Sequence, residues 1–167
     1  AAYWEIPATE ATAIKGRWVP GPGRRLFDAA KKSLGNMPII AEDLGVITPD
    51  VEQLRDGLGY PGMRILQFAF GDDPKAAEFR PESYPQDCVV YTGTHDNDTT
   101  VGWYRSEPGK DSTRTAEQIE RERHTIRTYL KCDGSQIHWD LIALALRSPA
   151  NTAIYPLQDV LGLDSSA

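Results

Sequence analysis

Short apolar runs alternate with apolar stripes at helical spacing along this chain, a pattern that predicts an α/β fold built on a parallel sheet. Leu26, Phe27, Ala30 and Leu34 share one face of a helix over residues 25–34, and Gly35 supplies its stop. Pro38-Ile39-Ile40-Ala41 predicts a strand that ends on Glu42-Asp43. Thr48-Pro49-Asp50 reads as an N-cap with proline at the first helical position, followed by a Val51, Leu54, Leu58 stripe that Gly59 ends. A second strand is expected over 63–70, then a polar, proline-rich loop to about Gln86, then a third strand over 88–92. Thr115 and Gln118 fit a capping box for a helix to Leu130, with Ile119, Ile126 and Leu130 inward and its Arg and Glu residues as a solvated face. The segment 137–147 predicts another helix, with Trp139, Ile142, Ala143 and Leu146 as its stripe. Residues 153–157 predict a fourth strand reaching Gln158-Asp159.

The first three strands start roughly 25 residues apart, in the range of the ~31 residues per unit of a ~250-residue, eight-unit barrel. Four strands cannot close such a barrel. The chain shows no internal repeat, low-complexity tract or interdomain linker, so residues 1–167 are expected to be one continuous, incomplete barrel domain.

Apolar residues at 40% and charged residues at 25% suit a soluble globular protein and exclude disorder. The net charge of -6 argues against nucleic acid or an anionic membrane as partner, and a neutral ligand such as a sugar is compatible with it. Cys88 and Cys132 form neither a disulfide framework nor a metal-ligand spacing, and read as core or surface thiols. No signal core opens the chain, and its longest apolar run, near Leu141 to Leu146, is too short to span a bilayer. A cytosol-like compartment is expected, or a plastid in a plant or alga.

The chemistry concentrates in two acidic clusters placed where apolar strands should end, Glu42-Asp43 and His95-Asp96-Asn97-Asp98. A carboxylate at the end of a buried strand costs desolvation unless it has a partner or a task. Catalytic groups of α/β barrels sit at the carboxyl ends of their strands, so two such ends suggest one shared site. Helix capping accounts for Asp43 or Asp98 readily, and for Glu42 and the His95-Asp96 pair poorly.

These residues resemble a known family. Ile40-Ala41-Glu42-Asp43-Leu44-Gly45-Val46-Ile47-Thr48, the Pro61-Gly62-Met63 to Phe70 segment, and Tyr91-Thr92-Gly93-Thr94-His95-Asp96-Asn97-Asp98-Thr99 are similar to amylomaltases, the 4-α-glucanotransferases of the α-amylase clan. The Lys15–Gly23 segment and Pro156-Leu157-Gln158-Asp159-Val160-Leu161-Gly162-Leu163 match the same pattern. The resemblance implies about strands five to eight, with their helices, of a partial (β/α)8 barrel. It implies Glu42 as general acid/base, Asp96 as the carboxylate that binds the sugar ring and stabilises the transition state, and His95 as a sugar contact. The family's nucleophile, an aspartate ending the fourth strand, is expected just upstream of Ala1, and the family pattern continues past Leu163. An incomplete, inactive piece of the catalytic barrel is therefore expected, truncated at both ends. The implied partners are α-1,4-glucans (maltooligosaccharides, starch or glycogen chains), with no metal and no other cofactor.

Retaining transfer needs a carboxylate nucleophile and a carboxylic acid about 5–5.5 Å apart, and the same acid/base then activates the acceptor hydroxyl. Glu42 must start protonated, so burial is expected to raise its pKa. Trp18 reads equally as a sugar-stacking platform or as packing for its glycine-flanked loop. Arg17 suits either sugar hydroxyls or an acidic neighbour. Phe68 and Asp72 are binding candidates at the third mouth segment, with core packing and a turn as their plainer roles. Tyr3 and Trp4 are expected to line or support the cleft, Asp98 to brace its loop or cap a following turn, and His124 and His138 to stay outside the chemistry. Three rival readings remain at this point. One is a metal-dependent hydrolase or isomerase using Glu42, Asp43, His95, Asp96 and Asp98; the others are a plain α-glucan hydrolase and a noncatalytic glucan-binding module.

Overall fold

The computed structural model describes residues 1–45, 47–109 and 113–167, which form two compact units, 1–62 and 63–167. In the first unit, strands β1 (Ala2–Glu5) and β2 (Arg17–Pro20) pair antiparallel, with Trp4 opposite Trp18 and Glu5 opposite Arg17. The sequence reading missed this hairpin. Two helices follow, α1 (Arg24–Leu34) and α2 (Pro49–Leu58), close to their expected bounds. Pro49 sits in the first turn of α2, and Gly59 closes it in the left-handed conformation that glycine adopts without cost.

Between these helices the expected strand 38–41 does not form. One hydrogen bond, Ala41 N–H to the Pro61 carbonyl at 2.9 Å, ties this stretch. A strand is a ladder of such bonds, and a single rung leaves the segment irregular. No described residue from 1 to 61 is buried, and Leu26 and Leu34 of the α1 stripe are exposed. The first unit therefore has side-chain contacts and ion pairs but no closed core.

The second unit carries the core. Its sheet has the order β3-β4-β5, from β3 (Gly62–Ile65), β4 (Cys88–Tyr91) and β5 (Thr152–Ile154). Strands β4 and β5 run parallel, Val90 beside Ala153 and Tyr91 beside Ile154. Cys88, Val89 and Val90 are all buried, as in a strand covered on both faces. Helices α3 (Thr100–Arg105), α4 (Ala116–Leu130) and α5 (Ile137–Arg147) share a core with this sheet, and the single turn α6 (Leu157–Val160) packs on α5. Leu66, Phe70, Val90, Trp103, Ile126 and Leu141 form the heart of the core.

Several expectations in this unit are corrected. The strand expected over 63–70 stops at Ile65, because residues 66–68 turn into a 3-10 helix that buries Leu66 and Gln67 together. The last strand ends at Ile154, and Gln158-Asp159 lie in α6 instead of at a strand end. Helix α5 buries Ile137, Leu141, Ile142 and Ala145, and leaves Trp139 and Leu146 exposed. It is apolar nearly all round, so periodicity alone could not select its inner face.

Helix α4 has the expected capping box, Thr115 accepting from Gln118 N at 3.2 Å and Gln118 accepting from Thr115 N at 2.8 Å. Its charged face is not simply solvated. Glu122 is buried and pairs with Arg114, which also donates to the Trp103 carbonyl and the Ser106 hydroxyl. Arg123 donates to the carbonyls of Tyr104 and Ser106.

Candidate active site

The Glu42 segment lies in the first unit, on irregular backbone. Glu42 itself is exposed, so the burial expected for it is not found: no strand forms over 38–41 to enclose it. Asp43 beside it is half-buried as a residue, and its side chain keeps only 4% of its accessible surface. Arg55 on α2 forms an ion pair with Asp43 and a second with Asp56 at 2.7 Å. Gly62 backs onto the same carboxylate so closely that a Cβ there would lie 2.3 Å from Asp43 Oδ2. Asp43, Arg55 and Gly62 thus fix the backbone that presents Glu42. Val46 of the same motif falls outside the described residues.

Arg17 and Trp18 stand on β2. Arg17 pairs with Glu5 directly across the hairpin, Nε to Oε2 at 2.8 Å and Nη2 to Oε2 at 2.7 Å, and its side chain is exposed. Trp18 meets the edge of Trp4 at 5.2 Å between centroids yet stays 69% exposed. One contact packs the hairpin while most of the Trp18 ring is open. Trp4 is anchored by its indole N–H to the Ala13 carbonyl at 2.9 Å, with Gly16 against its ring.

In the second unit, His95 and Asp96 sit on the loop between β4 and α3. Both are exposed, with His95 Nε2 3.4 Å from Asp96 Oδ1. The loop around them is braced. Asn97 Oδ1 accepts from Thr94 N at 2.9 Å and from Thr94 Oγ1 at 2.8 Å. Asp98 accepts from Thr99 N and from Ser165 Oγ at 2.6 Å, consistent with the bracing role expected for it. Buried Gln67 donates to the Asp98 carbonyl at 2.9 Å, and only a glycine at 93 leaves room, since a Cβ there would sit 2.5 Å from the Gln67 amide nitrogen. Thr99, not Asp98, caps α3 by accepting from Gly102 N.

Phe68 is 39% exposed and meets Phe79 edge to face at 5.4 Å. Asp72 pairs with Arg121 on α4, and this ion pair holds its carboxyl below the usual range. Asp72 opens onto a cavity of about 690 Å³ with Phe70, Arg80, Glu120, Arg121 and His124. His124 is exposed on that rim, and His138 lies at the start of α5 against Gly162.

Sequence reasoning missed Gln67, Arg55 and, most of all, Asp159. Asp159 is fully buried on α6 and accepts from Thr92 Oγ1, Thr100 N and Thr100 Oγ1. The only signal for it was its place in the Pro156–Leu163 motif. Among the described residues, no group of three or more His, Cys, Asp or Glu is placed to hold a metal ion. Two members of the rival ligand set are already engaged, Asp43 with Arg55 and Asp98 with Ser165. No helix among the described residues is long and apolar enough to cross a membrane.

A family model described as 4-alpha-glucanotransferase matches residues 1–167. The 4-alpha-glucanotransferase of Thermus thermophilus is 49% identical over 99% of this chain and 32% of its own length. The chloroplastic/amyloplastic 4-alpha-glucanotransferase of Solanum tuberosum is 46% identical over 100% of this chain and 27% of its own length. Among solved structures, the amylomaltase from Streptococcus agalactiae in complex with acarbose superposes with a TM-score of 0.81 at 33% identity, over 99% of this chain and 31% of that one. The chain thus spans between about a quarter and a third of the relatives it matches.

Proposed function

The chain belongs to the 4-alpha-glucanotransferase family, and on that premise we propose that it is part of the catalytic barrel, about strands five to eight, of an enzyme that moves α-1,4-glucan segments between acceptors. The observation that carries this reading is the unbroken family match over 1–167, with Glu42 and the His95-Asp96 pair on braced loops rather than in helix caps.

In this reading Glu42 protonates the departing glycosidic oxygen and later deprotonates the acceptor 4-hydroxyl. Its exposure suits a group that must meet a bulky substrate. Asp96 stabilises the oxocarbenium-like charge, and His95 beside it donates to a sugar hydroxyl. An aspartate outside this chain serves as nucleophile. Trp18 offers an apolar face for sugar C–H surfaces, which also helps exclude water so that transfer outruns hydrolysis. The substrates are maltooligosaccharides, starch or glycogen chains, and the compartment is cytosol-like or plastidial.

Maltotriose given to the full-length protein tests this. Disproportionation yields glucose and a ladder of longer maltooligosaccharides with a constant reducing-end count, and Glu42→Gln abolishes it. A rising reducing-end count makes the enzyme a hydrolase. A full-rate Glu42→Gln variant removes Glu42 from the acid/base role.

A further inference from the structure

The loop that carries His95 and Asp96 spans residues 93–99, between the end of β4 and the start of α3. Its two stems are Thr92 and Thr100, both fully buried. One side chain from elsewhere holds both. Asp159 Oδ2 accepts from Thr92 Oγ1 at 2.6 Å and from Thr100 Oγ1 at 2.8 Å, while Oδ1 accepts from Thr100 N at 2.7 Å. The topology explains how a residue 67 positions downstream arrives there. Strand β5 lies parallel to β4 with Ile154 beside Tyr91, so the segment leaving β5 runs next to the segment leaving β4. Residues 157–160 then coil into α6 and turn Asp159 inward.

We propose that Asp159 is a positioning residue for the reaction, a buried carboxylate that clamps both stems of the His95-Asp96 loop and so sets where Asp96 meets the sugar. The proposal rests on the functional reading above, in which Asp96 contacts substrate. A carboxylate fully removed from water is costly unless donors satisfy its oxygens, and here three donors occupy three of its roughly four lone-pair sites. All three come from the two stems, so the carboxylate's own satisfaction depends on the loop closing in one geometry. Asn97 within the loop and Gln67 beneath it hold the backbone, and among the described residues the exposed Asp96 carboxylate meets only His95. Its placement is inherited from the stems. Misplacement of a reacting group by about 1 Å can cost roughly a hundredfold in rate.

The test uses the full-length protein with Thr92→Val, Asp159→Asn and Asp159→Ala, and Asp96→Asn as the reference. Thr92→Val keeps shape and deletes one clamp donor while two remain, so it is the variant least at risk of misfolding. The expected result is a kcat about ten- to a hundredfold lower for Thr92→Val, with KM for maltotriose moving less than about threefold, because contacts outside the loop are untouched. Asp159→Asn, which keeps an acceptor, falls between the wild type and Asp159→Ala. Amide hydrogen exchange over 93–99 accelerates about tenfold or more while the α5 amides stay protected. Unchanged loop exchange in Thr92→Val, or unchanged kcat while Asp96→Asn abolishes transfer, overturns the positioning role. If Asp96→Asn itself leaves transfer intact, the functional reading falls and the positioning role falls with it. The loop exchange then still reports whether the clamp exists.

Discussion

Replacing Gly62 by alanine adds one carbon at the point where the Glu42 segment is anchored. The new Cβ would lie 2.3 Å from Oδ2, 2.8 Å from Cγ and 2.9 Å from Oδ1 of Asp43. Ordinary contact needs about 3.4 Å or more, so the carboxylate must retreat by roughly 1 Å. It cannot swing freely, because Arg55 grips it and its side chain is almost wholly buried. Overpacking of this kind costs about 1–3 kcal/mol. Removing the carboxylate instead, by Asp43→Ala, breaks a buried ion pair. That costs at most about 3–5 kcal/mol, and here less, because Arg55 keeps Asp56 as a partner. In the double variant the three atoms nearest the added methyl are gone, so Gly62→Ala should cost much less once Asp43 is replaced. The expected coupling is therefore about 1–3 kcal/mol, well above the ~0.5 kcal/mol scatter of independent sites.

Urea unfolding of the four full-length proteins measures that cycle, and maltotriose transfer measures its consequence at the adjacent Glu42. Gly62→Ala alone should lower kcat roughly tenfold or more by shifting Glu42, the proposed acid/base, and should have no further effect in the Asp43→Ala background. Additive free energies within about 0.5 kcal/mol would show that Gly62 and Asp43 do not meet, and that the Glu42 segment is held some other way.

Glu122→Gln should be as stable as the wild type or up to about 2 kcal/mol more stable at pH 7, despite removing an ion pair. Burial pushes the Glu122 carboxyl up against the opposing pull of Arg114, so the wild type is favoured below the unfolded value near 4.5 and loses that advantage as pH rises through the raised folded value. Urea midpoints should therefore show the gap between variant and wild type closing near pH 4, and a loss above about 2 kcal/mol at pH 7 would show that attraction to Arg114 outweighs desolvation. Thr115→Ala should cost about 1 kcal/mol by opening the α4 capping box, with Thr115→Ser restoring most of it; equal urea midpoints for all three would count against the cap. The 167-residue chain by itself should self-associate and bind an apolar dye, because Ile14, Trp18, Leu34, Leu146, Leu157 and Leu161 are each more than 60% exposed; a dye-silent monomer in sedimentation would contradict this.

What could be read from sequence, and what could not, divides along the range of the interaction. The bounds of α1, α2, α4 and α5 were legible because helix ends are written locally: Gly35 and Gly59 as stops, Thr48-Pro49 as a start, Thr115 and Gln118 as a reciprocal cap. Strands are pairings with distant chain, and there the apolar pattern misled. Pro38–Ala41 reads as a strand but among the described residues meets only the Pro61 carbonyl, whereas Trp4 and Trp18 pair across residues 6–16, a connection too long to be written as a tight hairpin turn. The same division runs through the candidate site. Glu42, His95 and Asp96 stand in contiguous motifs and could be picked out at once. The groups that hold their loops are remote in sequence: Asp159 for Thr92 and Thr100, Gln67 for Asp98, Gly62 and Arg55 for Asp43. Asp159 shows why a single sequence hides such residues. A buried carboxylate and a solvent-facing one are written with the same letter, and only the parallel register of β4 and β5 decides that this one turns inward to meet both stems of the loop.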